Sequence, residues 1–270
     1  MNRRRNLLLK YLLRTHPRDD WAEKAGVLRV LNEEVRDDDF SLSQWEIGLT
    51  YYRDRFEAFK APGGLLLDLG CGTGNWSIAG STWFDRVIGI DVRNDRLKAA
   101  CRLRDLLNVR NVAFGRGDLT ALPFPSGEAN CVLAYNVLPY VRDWDKAISE
   151  IERVLRPGGM LWCSWQDVGI LLFYFAECLI LGRPDSLMAA VAARRPRWFR
   201  RRSGERAARV YLSAKEVREG LLAHGFDPVW KSNSPAWPSP ARPLFPQRML
   251  GLPFFHEVLA LKRSGRKNEK

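Results

Sequence analysis

Short apolar runs alternate with longer helix-compatible segments through the middle of the chain. The runs have the length of buried strands and lie at residues 65–69, 86–91, 111–114, 131–135 and 160–165. Between them, Asp95 to Leu107 is helical in pattern, and Trp144 to Leu155 repeats apolar residues at amphipathic helical spacing. Alternating strands and helices require crossover connections, so the pattern predicts a parallel sheet with helices on both faces.

The pattern resumes after a long insertion. Ser213 and Glu216 form a capping-box signature, and His224-Gly225 predicts the end of that helix. Two further strands are expected at 226–231 and 254–261. These complete a seven-stranded α/β sheet whose last strands form an antiparallel hairpin.

The first strand runs into Asp68-Leu-Gly70-Cys71-Gly72-Thr-Gly74 and then into a helix start. Glycines permit positive φ and close approach of a ligand to the backbone. The dinucleotide fingerprint Gly-x-Gly-x-x-Gly is not met, because Ser77 or Thr73 occupies the third glycine position. The segment instead resembles motif I of the class I S-adenosylmethionine-dependent methyltransferases, an acidic residue followed by Gly-x-Gly-x-Gly.

Further matches to this family follow at the next strand ends. Asp91, before Val92, closes the second strand, where the resemblance implies a carboxylate that holds the donor ribose. Asp118 and Leu119 follow the third strand, where an acid and an apolar neighbour would contact adenine. Asn136 ends the fourth strand and is included in the cofactor site.

The resemblance covers residues 65–165 and includes the helix-to-strand junction at 148–161. It implies a Rossmann-like methyltransferase sheet that binds S-adenosyl-L-methionine, with Asp68 at the donor's amino-acid end, directly or through water. The predicted organisation is a helical extension or lid at 1–61, the donor-binding core at 62–165, and an inserted helical, basic lid at 166–210. The end of the fold is expected at 211–263, with a basic tail at 264–270.

Charge is distributed unevenly over the 270 residues, whose net charge is +12. Residues 166–270 carry 19 basic and 9 acidic groups, against 12 and 11 in each of the segments 1–61 and 62–165. The donor core is therefore nearly neutral. A basic patch at 194–202, which interleaves arginines with Trp198 and Phe199, favours phosphate or carboxylate contacts.

Five widely separated cysteines lack CxxC or metal-ligand spacing, so they are interpreted as free thiols in the cytoplasm, and no metal site is expected. The amino-terminal segment is basic and amphipathic, which permits peripheral contact with an anionic membrane, although a solvated helix is favoured. The apolar run 169–181 is too short for the ~20 residues of a transmembrane helix, so no membrane-spanning segment is predicted.

No catalytic residue stands out. The position after the fourth strand lacks a histidine and the Asn-Pro-Pro-Tyr signature, and none of His16, His224 and His256 is favoured as a base. Tyr140 and Glu177 remain alternative proton acceptors. Acceptor contacts are expected from the aromatic residues Tyr51, Tyr52, Tyr140, Trp165 and Tyr174.

The leading hypothesis is an enzyme that moves a methyl group by in-line displacement to a small-molecule or lipid-like acceptor. An RNA methyltransferase using the 194–202 patch is the first alternative, and nucleic acid is the less favoured partner. A donor-binding protein without catalysis is the second. The sequence does not identify the acceptor, because one fold serves many substrates.

Overall fold

The computed structural model describes residues 24–35, 39–61, 63–167, 175, 179, 213–231, 248–249, 252–253 and 255–264. Within these ranges the helices are α1 Lys24–Glu34, α2 Asp39–Ile47, α3 Leu49–Ala58, α4 Asn75–Gly80, α5 Asn94–Leu106, α6 Trp144–Val154 and α7 Ala214–Ala223, with a 3₁₀ helix at Leu138–Tyr140. The strands are β1 Leu65–Leu69, β2 Arg86–Asp91, β3 Val112–Arg116, β4 Ala129–Tyr135, β5 Leu155–Gln166, β6 Phe226–Lys231, β7 Arg248–Met249, β8 Leu252–Pro253 and β9 Phe255–Lys262.

Seven of these strands form one sheet in the order β3-β2-β1-β4-β5-β9-β6. Strands β1 to β5 pair in parallel with one another, whereas β9 is antiparallel to both of its neighbours, β5 and β6. The predicted seven-stranded methyltransferase-type sheet with a closing antiparallel hairpin is confirmed. The short strands β7 and β8 pair only with each other among the described strands.

The sheet is covered on both faces, as its fully buried first strand requires. Helices α1 to α5 contribute to the core of one face, called here the first face, where Trp45, Phe56, Trp76 and Leu103 are buried with Trp162 of β5. Helices α6 and α7 pack on the opposite, second face, whose core includes Ile151, Leu161, Trp165, Val217 and Leu221. The described part of the amino-terminal extension is therefore built into the first-face core.

Helix boundaries follow the predicted signals. Asp143 caps α6 by accepting a hydrogen bond from the Lys146 N–H, and Ser213 and Glu216 form the expected capping box of α7. The fifth strand is longer than predicted, because pairing extends to Leu155 across Gly158, whose φ is +71°. Of the inserted lid predicted at 166–210, Gln166 belongs to β5 and Asp167 follows it; the rest lies outside the described residues apart from the helical Phe175 and Leu179.

The pairing register aligns the carboxyl ends of the central strands with one another. Leu69 pairs with Ile90, and Asp68 pairs with Leu133. The next residues in register, Gly70, Asp91 and Tyr135, therefore form a row, which continues through Ser164 to Glu257. Ligands of open α/β sheets bind at this edge, so the row locates the candidate site.

Candidate functional site

The glycine loop after β1 has the backbone that the sequence predicts. Gly70, Gly72 and Gly74 have φ of +73°, +57° and +83°. The N–H groups of Gly70 and Cys71 both donate to the Ile90 carbonyl, at 2.7 and 3.0 Å, which ties the loop to β2. A Cβ at Gly72 would meet no atom within 4 Å, so the loop backbone is open to a ligand at this point.

Asp91 holds that loop in place. Its Oδ2 accepts a 2.9 Å hydrogen bond from Gly72 N–H, and its Oδ1 accepts one of 2.9 Å from Arg93 N–H. The carboxylate is only 7% exposed, but each oxygen keeps a second lone pair for a ligand hydroxyl. The adjacent Val92 is 58% exposed and offers an apolar surface at the same edge.

Asp68 lies beneath the loop with 1% of its surface exposed. Ser77 Oγ donates a 2.5 Å hydrogen bond to Asp68 Oδ2. Burial raises the pKa of Asp68 to about 7, and the negative charge of Asp91 adds to this, whereas the Ser77 hydrogen bonds oppose it. A cation bound at the edge would favour the ionised form, so the predicted contact with the donor's amino-acid end acts through charge or a mediating water.

Asp118 and Leu119 occupy the loop after β3. Asp118 is exposed, and its Oδ1 accepts hydrogen bonds from the N–H and hydroxyl of Thr120, at 2.8 and 2.9 Å. Leu119 is buried in the second-face core. The adenine contact remains a prediction, because the observed bonds also suit a turn-forming aspartate.

Asn136 carries the clearest sign of a missing partner. It follows β4 with a φ of +54°, and its N–H donates to both the carbonyl and the hydroxyl of Ser164. Its side-chain Oδ1 is buried without a hydrogen-bond partner in the described structure. Buried polar atoms are normally paired, so Oδ1 fits a donor group on a ligand.

The residues at the edge thus suit a donor that carries positive charge and a ribose. Two carboxylates, an open glycine backbone and an unsatisfied carbonyl oxygen lie at this edge. The thiols of Cys71, Cys131 and Cys163 do not suit nucleophilic catalysis, because burial raises their pKa above that of a free thiol.

The predicted acceptor residues are separated by the structure. Tyr140 is 40% exposed on the 3₁₀ helix after β4. Tyr51 is buried, and its hydroxyl accepts a 2.7 Å hydrogen bond from Arg55 Nη1. Tyr174 and the 194–202 patch lie outside the described residues, so their predicted roles stay predictions.

Sequence reasoning missed a buried ionic cluster beside the site. Arg55 of α3 and Glu257 of β9 form a fully buried ion pair, and Tyr135 donates a 2.5 Å hydrogen bond to Glu257 Oε1. The Arg55 guanidinium lies 5.1 Å from the Trp162 ring centroid and 5.8 Å from that of Trp76. Burial raises the pKa of Glu257, although the charge of Arg55 opposes this.

Two further contacts were not foreseen. Trp45 Nε1 donates a 2.9 Å hydrogen bond to Thr73 Oγ1, which connects α2 directly to the glycine loop. At the other end of the row, His256 Nε2 and Asp167 Oδ2 lie 2.7 Å apart. The only sequence signal for the second pair is that both residues flank the carboxyl edge, Asp167 after β5 and His256 at the start of β9.

In the described part of the chain, no helix is both long and apolar enough to cross a membrane.

Comparison with known families shows that residues 67–163 match the model of a methyltransferase domain. These residues contain the glycine loop, Asp91, Asp118 and Asn136.

Among curated proteins, the chain is similar to a demethylmenaquinone methyltransferase of Oceanobacillus iheyensis, with 28% identity over 176 residues, 60% of this chain and 69% of that protein. A ubiquinone/menaquinone biosynthesis C-methyltransferase of Vibrio cholerae is 36% identical over 108 residues, 37% of this chain and 40% of the relative. The match thus spans less than half of the second relative.

Among solved structures, a putative S-adenosylmethionine-dependent methyltransferase of Listeria monocytogenes has a TM-score of 0.53 at 18% identity, covering 78% of this chain and 98% of that one. At this identity the likeness concerns the fold. Residues 67–163 are thus a methyltransferase domain with the fold of the class I enzymes, and the edge within it suits S-adenosyl-L-methionine as the methyl donor.

Proposed function

We propose that the protein transfers a methyl group by in-line displacement to a small, apolar, lipid-like acceptor, and that a quinol ring is the acceptor chemistry to test first. The donor edge with its open glycine loop and the unsatisfied Asn136 Oδ1 is the observation that carries the proposal. The acceptor class is suggested by the relatives that act on demethylmenaquinone or in quinone biosynthesis.

The residues at the edge supply position rather than covalent chemistry. S-adenosylmethionine supplies an activated methyl group, so orientation can provide most of the rate, with effective molarities of ~10⁵ M or more. Asp91 would bind the ribose hydroxyls while it holds Gly72, and thereby couples donor binding to the loop. The carboxylate of Asp68 would favour the ammonium group at the amino-acid end of the donor.

The surroundings of the edge favour an apolar acceptor. Among the described residues, the apolar side chains of Val92 and Tyr140 are exposed close to the row, and the chain following β5 contains the apolar run 169–181. The RNA alternative depends on the 194–202 patch and remains a prediction.

The test is transfer of labelled methyl groups from S-adenosylmethionine to a cell extract separated into small-molecule, lipid, RNA and protein fractions. A second arm uses reduced 2-prenyl-1,4-naphthoquinol as a defined acceptor. Label in the lipid or small-molecule fraction and in the quinol supports the proposal. Label confined to RNA would replace it with the alternative.

The matched variants are Asp91→Asn and Asp105→Asn. Both remove one negative charge, but Asp105 is exposed on α5 and pairs with its neighbour Arg104. Labelling should be lost in Asp91→Asn and retained in Asp105→Asn. Equal labelling in both would show that the label does not depend on the proposed donor site.

A further inference from the structure

The carboxyl edge holds a histidine–carboxylate pair that the donor contacts do not use. His256 Nε2 lies 2.7 Å from Asp167 Oδ2, and both side chains are partly buried. Because a carboxylate only accepts, Nε2 must carry a proton in this hydrogen bond. The neutral imidazole therefore has its lone pair on Nδ1, for which the described residues provide no partner.

The register places this pair two strands away from Asn136, the edge residue with the unsatisfied oxygen. Trp165 pairs with His256, while Tyr135 pairs with Ser164, so Asn136 is next in register with Trp165. Asn136, Trp165 and His256 thus lie across three adjacent strands. Two strand spacings separate Asn136 from His256, which corresponds to roughly 10 Å between Cα atoms.

The alternation of side chains along the strands places His256 on the face of the sheet where the residues after Asn136 also pack. Side chains alternate along β9, so Glu257 faces the first-face ionic cluster, whereas His256 lies beside Trp165 on the second face. The imidazole and indole centroids are 5.3 Å apart with planes inclined at 33°. The 3₁₀ helix after Asn136 packs on β5 from this second face, with Leu138 buried there. Trp165 is buried between that helix and His256.

We propose that His256 accepts the proton of a phenolic or enolic acceptor during methyl transfer, with Asp167 as the positioning residue. The proposal rests on the function proposed above. The acceptor O–H bond breaks and its proton moves to Nδ1, which leaves an imidazolium beside the Asp167 carboxylate. An electron pair of the resulting anion forms the bond to the methyl carbon, and the pair of the methyl–sulfur bond stays on sulfur. The imidazolium then returns its proton to solvent.

The alternative is that the pair only fastens the start of β9 to the end of β5. A fastening role requires the hydrogen bond but no free lone pair. A fastening role predicts that a His256 variant is less stable. A proton-accepting role predicts in addition that the variant loses turnover and that an external base restores it. The two roles therefore differ in measurable quantities.

The first readout needs no acceptor. The protein is labelled with ¹⁵N-histidine and saturated with S-adenosylhomocysteine, and its long-range ¹H–¹⁵N spectra are recorded. The His256 signals are assigned by their absence in His256→Gln. They should show the proton on Nε2 and a lone pair on Nδ1. A proton on Nδ1 in the neutral ring would overturn the proposal, because that nitrogen could not then accept one.

The second readout is turnover with reduced 2-prenyl-1,4-naphthoquinol. We expect His256→Ala to lower kcat by about 100-fold or more and imidazole to restore at least about a tenth of the lost rate, since general bases contribute 10²–10⁴-fold. Binding of S-adenosylhomocysteine should stay within about twofold, because His256 is not in the donor machinery. Unchanged turnover, or a loss that imidazole does not repair, would overturn the proposal.

The matched control is His224→Ala. His224 also pairs with an aspartate, Asp145, at 3.1 Å, but it lies in the turn between α7 and β6, at the amino ends of the parallel strands. Its replacement should leave turnover unchanged. If the wild type is inactive on the quinol but transfers label to another fraction, the proposed acceptor is wrong. The role of His256 is then decided by the spectra and by assaying the same variants with the labelled fraction as acceptor.

Discussion

Replacing Asp68 by asparagine should strengthen the fold and weaken the site at the same time. Asp68 is buried beneath the glycine loop with a pKa raised from 3.8 to about 7, chiefly by burial. The asparagine side chain would be nearly isosteric, would keep an oxygen acceptor for Ser77 Oγ, and would have no charge to desolvate. The variant therefore isolates the energetic cost of one buried carboxylate.

The size and pH dependence of this effect follow from the pKa shift. Below pH 3.8 the carboxyl is protonated in the folded and unfolded chains, so burial of Asp68 costs little. As pH rises toward 7, the unfolded chain releases the proton while the folded chain retains it, and stability falls. At roughly 1.4 kcal/mol per tenfold shift, the cost is about 1.5 kcal/mol at pH 5 and about 4 kcal/mol at pH 8.

Urea denaturation of wild type and variant at pH 5 and pH 8 measures this difference. The stability gained by Asp68→Asn should be larger at pH 8, whereas Asp105→Asn should gain similarly little at both values. Calorimetric titration at pH 8 should show weaker binding of S-adenosylmethionine to Asp68→Asn. A gain independent of pH, or a loss of stability at pH 8, would refute the reasoning about burial, and unchanged affinity would refute the donor role.

Three other substitutions test the contacts around the loop. Trp45→Phe removes the hydrogen bond to Thr73, which is worth about 1 kcal/mol, so S-adenosylhomocysteine should bind about fivefold more weakly in calorimetry. The control is Trp83→Phe, which removes an indole N–H that has no hydrogen-bond partner in the described structure and should not change binding. Arg55→Met should lower the free energy of unfolding by about 3–5 kcal/mol in urea titrations, because the Glu257 carboxylate stays buried without its cation, and adding Glu257→Leu should recover most of the loss. A single variant as stable as wild type would contradict this. Gly74→Ala should lower the melting temperature more than Gly127→Ala. Both glycines have positive φ, but only at Gly74 would a Cβ lie 2.6 Å from Phe114. Equal decreases in melting temperature would mean that φ strain alone matters.

The donor edge was predictable because its signals are local. A buried strand, three alternating glycines and an acid at the end of the next strand all lie within residues 65–91, and the backbone follows them closely. The seven-stranded sheet was likewise predictable from alternating strand and helix patterns. What the sequence left open at Asp118 stays open, because a turn aspartate and an adenine contact need the same residue at the same place.

The ionic cluster and the histidine pair depend instead on strand order. Arg55 and Glu257 are 202 residues apart, and they meet because β9 inserts between β5 and β6. The same insertion brings His256 next to Trp165 and Asp167, although its sequence context indicates only a strand residue. Such pairings arise from tertiary register, which hydrophobic spacing within one segment does not encode.

The central claim is that S-adenosylmethionine binds at the carboxyl edge with Asp91 as its ribose ligand. Isothermal titration of wild type, Asp91→Asn and Asp105→Asn with S-adenosylhomocysteine tests it most directly. Because hydrogen bonds to charged groups contribute about 1.5–3 kcal/mol each, Asp91→Asn should bind at least about 10-fold more weakly while its far-ultraviolet circular dichroism matches wild type. Asp105→Asn should bind like wild type. Equal affinity in all three proteins, or no binding by the wild type, would contradict the account.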